Sequence, residues 1–510
     1  MDIILNSPEF SSTDAQRSFL KYVVKKTLAG RGDEIKGYAL ATEVFGRGED
    51  FDQSIDPVVS IHANKLRRAL ERYYLVAGQT DSIRIDIPKG TYVPMFMEQN
   101  ACSVPTSLQK NQSAEERYEM AWPGLVVQNL SNLTGNPEFD YVGIAISTEI
   151  ATEITRYKEI RVLLQGQEKR KQRSSDSGAR FALTGSIFEG QSHLKANIVL
   201  TDLNKGCQVW ADTHRTQINP AQLMPFIETV SRAVTSKICA EHGIIAKQLS
   251  IESKAIPISK LTSYEAVLRY HRFNAQYTRQ SFEDALESLV YASEVDPECG
   301  LVWSMIARLY ALNCSMELFN HDTPIDKAIE FAQMGVKLDP SSQRSRIILA
   351  FALMLANKLS SARAEVKNAL ALNPESIIFL DNIGYLFTLL GEWQQGTSLI
   401  KKAIHINPYY DHIVHFTLWL DMFRQENYEQ AHVESLSVRA PNLFWYHLAN
   451  ASTLGQLGRI TEGRKAAREL LKLKPDFCRS GTRLIRHFIK FDDIVEQLIA
   501  GLTRVGIDVT

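Results

Sequence analysis

Apolar residues between positions 260 and 510 recur every three or four places, in paired runs that each end at a proline: Pro297, Pro340, Pro374, Pro408, Pro441 and Pro475. The last five lie 34, 34, 33 and 34 residues apart, and the first step is 43. A three-to-four spacing predicts amphipathic helices, and a fixed period of this length predicts stacked two-helix units that bury their faces only against neighbours. The proline ends the second helix of each unit because it lacks an N–H and clashes with the preceding turn. Small residues keep the same register. In the unit ending at Pro408 they are Gly384, Gly391, Gly396 and Ala403, placed where two helices must approach closely. Trp303, Ala307, Tyr310 and Ala328 follow the pattern if nine extra residues are allowed near 314–324. Ala285, Ala292 and Pro297 predict one more unit before them. Six units and a helical cap near 476–510 are expected, with the fifth unit, 410–441, degenerate.

Two other patterns precede the array. In residues 1–98, Ser12, Thr13 and Asp14 can cap a helix to about Leu28, with Phe19, Leu20, Val23 and Val24 inward and Gly30 and Gly32 ending it. A short helix near 38–45, closed by Gly46, is expected next. Asp56 and Pro57 open a third, whose buried stripe is Val59, Ala63, Leu66, Leu70 and Tyr73. Its other face carries Ser60, Asn64, Lys65, Arg67, Arg68 and Arg72. Alternation at 83–87, a turn at 88–91 and a return run at 92–96 predict a β-hairpin. A polar tether spans 99–120. Beyond it, strands at 124–128, 160–164, 181–188, 194–201 and 207–212 and helices at 144–157 and 222–241 predict a mixed-sheet α/β module over 121–255. The fold class is therefore multidomain: an N-terminal three-helix-and-hairpin domain, a middle α/β module, and an all-α repeat superhelix over 260–510.

Length and composition add limits. A chain of 510 residues exceeds one core. The formal charge of −1 predicts no global pull on nucleic acid or anionic membrane, so any such binding needs a local patch. Residues 57–75 supply one, with Lys65, Arg67, Arg68 and Arg72 against Glu71. The six cysteines (102, 207, 239, 299, 314 and 478) form no C-x-x-C pair, which argues against a zinc site or disulfide framework. No signal-sequence pattern opens the chain, and the longest apolar run, 347–356, is short for a membrane span. A cytoplasmic protein without a membrane segment is the expectation. Motifs for phosphate loops, dinucleotide binding, zinc proteases and serine hydrolases are missing. Asp140, Glu149, Glu153 and Asp212 suit capping or solvated faces, and His405, His412 and His415 lack a completing metal ligand. We expect no enzyme, no cofactor and no metal.

Three resemblances accompany these patterns. The period and the small-residue register resemble the tetratricopeptide repeat family, which implies a superhelix with a protein or peptide partner. Glu43-Val44-Phe45-Gly46, the run from Asp56 to Leu70 with Leu66-Arg67-Arg68-Ala69-Leu70, and the hairpin to Gly90-Thr91-Tyr92 resemble the OmpR/PhoB-type winged helix-turn-helix domain. That likeness implies double-stranded DNA as a partner, contacted by Ser60, His62, Asn64, Lys65, Arg67, Arg68 and Arg72, with Lys89 and Thr91 at the wing. Leu183-Thr184-Gly185-Ser186-Ile187 and Val209-Trp210-Ala211-Asp212 look like the non-catalytic module of CadC-like regulators, some bacterial adenylate cyclases and the amino-terminal domain of TolB. Together they imply a bacterial transcriptional regulator that reads DNA through 57–77 and 83–96 and acts as a possible homodimer. The alternative is a protein-interaction scaffold that does not bind DNA, or a regulatory relative of adenylate cyclases lacking the catalytic domain.

Overall fold

The computed structural model describes residues 4–5, 7, 10, 13–46, 48, 59, 62–63, 66–67, 69–70, 73, 81, 83–88, 91–98, 122–163, 179–241, 243–374, 378–407 and 410–509. Contacts divide the chain into two compact units, Met1–Asn111 and Gln112–Thr510.

In the first unit, helix α1 (Asp14–Leu28) starts at a capping box. The Thr13 side chain accepts from the Gln16 N–H, and the Gln16 side chain accepts in return from the Thr13 N–H at 2.8 Å. Its Phe19, Leu20, Val23 and Val24 are buried as the periodicity required. Helix α2 (Gly37–Glu43) follows, and the chain leaves it through Gly46 at φ +64, a left-handed turn that suits glycine. Val59, Ala63, Leu66, Leu70 and Tyr73 are buried in the same core; of the polar-face residues between them only Arg67 is among the described residues. Strands β1 (Ile83–Asp86) and β2 (Met95–Glu98) pair antiparallel, Ile83 opposite Glu98 and Asp86 opposite Met95. The return strand thus begins at residue 95 and not at 92. The carbonyls of residues 87, 88 and 91, which a tighter hairpin would direct into its ladder, are taken by a side chain instead, as shown below.

The second unit opens with a mixed sheet of strands β3 (Gly124–Val127), β4 (Ser131–Asn132), β5 (Arg161–Leu163), β6 (Phe181–Glu189), β7 (His193–Asp202) and β8 (Cys207–Gln217), in the order β5-β3-β6-β7-β8 with β4 beside β6. The β3–β5 and β3–β6 pairs are parallel; β6–β7–β8 form an antiparallel meander. Along β7 buried and half-buried residues alternate, so one face is packed. That face is covered by α3 (Asp140–Tyr157) and α4 (Pro220–Cys239), tied by the Ser231 hydroxyl donating to the Ile146 carbonyl at 3.3 Å. The sequence reading missed β4 and helix α5 (Ile244–Ser253), and it ended β8 five residues early, because the strand's polar second half, an exposed edge, carries no apolar signal.

Then come six helix pairs: α6 (Ser263–Gln276) and α7 (Arg279–Val295), α8 (Gly300–Met316) and α9 (Ile325–Leu338), α10 (Gln343–Leu355) and α11 (Leu359–Leu372), α12 (Leu380–Leu389) and α13 (Trp393–Ile406), α14 (His415–Arg424) and α15 (Tyr428–Ser437), and α16 (Phe444–Gln456) and α17 (Ile460–Leu473). A last pair, α18 (Phe477–Phe488) and α19 (Asp492–Arg504), forms the cap. The small residues do the steric work expected of them. A Cβ on Gly384 would meet the Gly396 carbonyl oxygen at 2.7 Å, and one on Gly396 would meet that of Gly384 at 2.6 Å. The array and the α/β module share one continuous apolar core, with Trp122 against Tyr264 (5.1 Å) and Tyr157 against Phe379 (5.6 Å). Among the described residues no helix is long and apolar enough to cross a membrane.

Candidate functional site

The array curls until its ends meet. Asn274, at the end of α6, donates to the Asp411 carboxylate at 3.1 Å, and Asn442 donates to the Gln276 carbonyl at 3.2 Å. On the other side Lys474 reaches the Glu317 carbonyl at 3.2 Å and the His487 ring meets the Ser315 carbonyl at 2.7 Å. The cap helix α18 also crosses the inner face, where Phe488 packs on Phe351 (6.2 Å) and Trp445 (5.3 Å). Helix α10, lying between these elements and the α/β module, is buried at all but Arg346 of its thirteen residues. What remains inside is a half-enclosed channel of about 150 Å³, rimmed by helices of all six pairs and by the cap.

The channel is apolar and aromatic with a few charges. Arg344 is 6% exposed and fully engaged: it donates to Glu159 (3.0 Å), Glu241 (2.8 Å) and the Tyr157 hydroxyl (3.1 Å). Glu241 in turn meets the His271 ring at 2.8 Å. Burial opposes the charge on Arg344, but Glu159, Tyr157 and Glu241 outweigh it and raise its pKa well above the ordinary value. The network joins α10 and α6 of the array to the end of the α/β module. Arg308 lies along the same wall with its guanidinium carbon 3.8 Å from the Phe351 ring centroid and the Tyr270 hydroxyl as hydrogen-bond partner. At the opposite end burial pushes the Asp381 carboxyl up to about 6, despite donation from the Asn382 backbone and side chain at 2.7 and 2.9 Å. Burial also raises Tyr270 and Tyr277, and takes Tyr385 to about 12.

None of these channel residues stood out in the sequence reading. One signal was available: Arg308 is the only charged residue in the seventeen of α8, and a lone charge in an apolar helix needs a reason.

The residues expected to contact DNA fare differently. Ser60, Asn64, Lys65, Arg68, Arg72 and Lys89 lie outside the described residues. Arg67 is described, and its guanidinium is engaged by the hairpin loop. Its Nε donates to the Ile87 carbonyl at 2.7 Å, and one terminal nitrogen to those of Pro88 (3.2 Å) and Thr91 (2.9 Å). It staples the hairpin loop to the unit's core. His62 is half-buried with its ring 4.6 Å from Phe45, an inward packing position. The Thr91 hydroxyl accepts from the Val93 N–H at 3.1 Å, so it shapes the loop.

Of the acids considered singly, Glu149 and Glu153 lie one turn apart on α3, and burial, with the Glu149 charge adding to it, raises the Glu153 carboxyl. Asp140 accepts from Asn132 at 2.6 Å, Glu153 pairs with Arg156 at 3.0 Å, and Asp212 is bound by Lys237. His415 meets Glu434 at 2.7 Å and Tyr410 at 3.1 Å. Among the described residues no three His, Cys, Asp or Glu side chains are grouped to hold a metal.

No family model matches the sequence. Among curated proteins the chain is similar to "Putative adenylate cyclase 3" of Rhizobium meliloti (strain 1021), 22% identical over 254 residues, which is 48% of this chain and 42% of that protein. The chain thus spans less than half the length of the relative it matches. Among solved structures it is similar to human IFIT1 as a dimer with m7Gppp-AAAA (15% identity, TM-score 0.37, 57% of this chain and 71% of that one). It is also similar to YrrB, a TPR protein with an unusual peptide-binding site (14%, TM-score 0.24, 38% and 94%). A third likeness is to the MamA protein (15%, TM-score 0.20, 42% and 93%). Scores this low carry no fold assignment; the repeat architecture rests on the helix pairs themselves.

Proposed function

We propose that this chain is a non-catalytic interaction scaffold: the helical array holds a partner or effector, and the N-terminal unit is the module it serves. The supporting observation is the array itself. Six helix pairs close around a channel, and buried ion pairs fuse them to a sheet module, an arrangement whose accessible chemistry is recognition. The test is to capture partners with the full chain, purify one, and map protected amides by hydrogen exchange. Protection should fall within residues 263–504. Protection confined to the first unit by every purified partner would sink the reading. The likeness to an adenylate cyclase stands as a rival, and cyclic nucleotide formed from ATP by the purified chain would replace the scaffold with an enzyme.

A second reading, DNA binding by a winged helix, draws on one feature: Arg67 fixes the hairpin against the segment that carries the basic candidates. Arg68→Ala and Lys65→Ala would then weaken binding to duplex DNA and each lower the salt slope by about one counterion. Absence of any anisotropy change with genomic fragments at low salt would refute it.

A further inference from the structure

Arg308 stands mid-way along α8, where its positive charge faces Phe351, Tyr270 and the channel space. Among the described residues no carboxylate lies within ion-pair distance of it, in contrast to Arg344 one wall away. A guanidinium taken largely out of water without a counter-charge, yet open on one side to a cavity, is a receptor for an anion. The cavity sets the size. At about 30 Å³ per water, 150 Å³ takes about five waters, or one benzene-sized ring, and the half-open side leaves room for a short acid arm. The closing contacts, Asn274 to Asp411 and Asn442 to Gln276 on one side and Ser315 to His487 on the other, leave no open trough for an extended chain. Charge sets the valence. Arg344 also lines the channel but is taken by Glu159 and Glu241, which leaves Arg308 as the uncompensated cation beside Asp381 and Asp411, so a single negative charge is accommodated and a phosphate near −2 is disfavoured. The walls, with Phe351, Tyr385 and Phe488, favour a flat apolar body.

We propose that the channel binds a small aromatic carboxylate, its acid group forked onto Arg308 and its ring held against Phe351 and Tyr385. This rests on the reading of the array as a binding module and names what that module takes inside.

Isothermal calorimetry on the full chain tests it with phenylacetate and indole-3-acetate as probes, against phenyl phosphate, phenethylamine and an N-acetylated dipeptide ending in phenylalanine. One or both acids should bind at about 1 mM or tighter, and the other three at least about tenfold more weakly. Arg308→Gln should lose at least about tenfold, and Arg308→Lys should lose most of this too, because an ammonium cannot fork a carboxylate. Circular dichroism checks that these variants fold. Tyr385→Leu keeps the arginine, removes a ring, and should weaken the acids several-fold, giving a second handle should Arg308→Gln not fold. No heat from either acid up to about 20 mM, or equal affinity in folded Arg308→Gln, overturns the proposal. Tighter binding of the dipeptide than of the free acids overturns it in favour of a chain terminus. Partner capture by the array is scored separately, so the scaffold can survive the loss of this ligand and the ligand the loss of the scaffold.

Discussion

Replacing Arg344 with methionine removes a cation from a site that two carboxylates have been built around. The arginine's four hydrogen bonds go to Glu159, Glu241 and Tyr157, and the side chains of Arg344 and Glu159 are each 7% exposed. Methionine fills much of the volume, so the loss is electrostatic. Glu159 then keeps only the Tyr157 hydroxyl (2.9 Å) of its contacts given above, whereas Glu241 is 19% exposed and keeps His271. Breaking one partner of a buried pair costs about 3–5 kcal/mol. An upper bound comes from protonation. An ordinary glutamate ionises near 4.3, so taking up a proton at pH 7 costs about 4 kcal/mol, and an orphaned carboxylate will not bear a larger penalty. The two routes agree. The penalty should also shrink by about 1.4 kcal/mol for each pH unit lowered from 7 toward 5, because the proton becomes cheaper. Urea unfolding followed by circular dichroism at pH 7, 6 and 5 measures both the size and the slope. Adding Glu159→Gln to Arg344→Met should recover most of the loss, as expected for residues coupled in one network. A loss below about 1 kcal/mol at pH 7, or one that does not change with pH, would refute the reasoning.

The Asp381 carboxyl sits near 6 when folded, above its ordinary 3.8, chiefly through burial and then through Glu241 and Asp411. The folded state therefore binds the proton more tightly. Its contribution is present at low pH and is lost as pH rises from about 4 through about 6, on the order of 2–3 kcal/mol; Asp381→Asn should flatten that fall in urea titrations. Gly384→Ala must push apart α12 and α13 at the 2.7 Å approach to the Gly396 carbonyl, and a loss of about 1–3 kcal/mol in the urea midpoint is expected. Arg67→Ala should raise hydrogen exchange across β1 and β2 and lower the stability of the first unit by about 1.5–3 kcal/mol. A changed DNA salt slope with unchanged hairpin protection would show that Arg67 touches phosphate after all.

How much was legible before the structure depended on whether a feature was periodic. The repeat boundaries followed from prolines and glycines, because a helix terminator and a close approach each demand one residue type. The α1 cap and the buried stripe at Val59, Ala63, Leu66, Leu70 and Tyr73 followed likewise, since a helix buries every third or fourth residue. The channel did not follow. Arg308, Arg344 and Asp381 belong to three different repeat units, and what joins them is the curl of the array, which is fixed by contacts such as Asn274 to Asp411 between residues 137 apart. No local pattern encodes such a pairing. The hairpin was misread for a related reason. Alternation at 83–87 followed by a turn predicts a return strand at 92–96, but Arg67 captures the carbonyls of the turn, and a charged donor wins over a neutral one.

Arg344 occupies two places at once: it lines the channel, and it holds Glu159 and Glu241 at the junction with the sheet module. Arg308 is on the neighbouring helix, and the Phe351 ring beneath it is seven residues along α10 from Arg344, about two turns on the same face. An occupant that presses on Phe351 therefore bears on the helix that carries the joint. It can shift that joint only by as much as its affinity differs between the joined and loosened states. Arg344→Met, which loosens the joint by about 3–5 kcal/mol, is then the variant in which channel affinity should change if the two are linked. Reciprocity requires the converse, that a channel ligand change the unfolding of the sheet module. Equal affinity in the parent and in Arg344→Met would make the channel and the joint independent features that happen to share a wall.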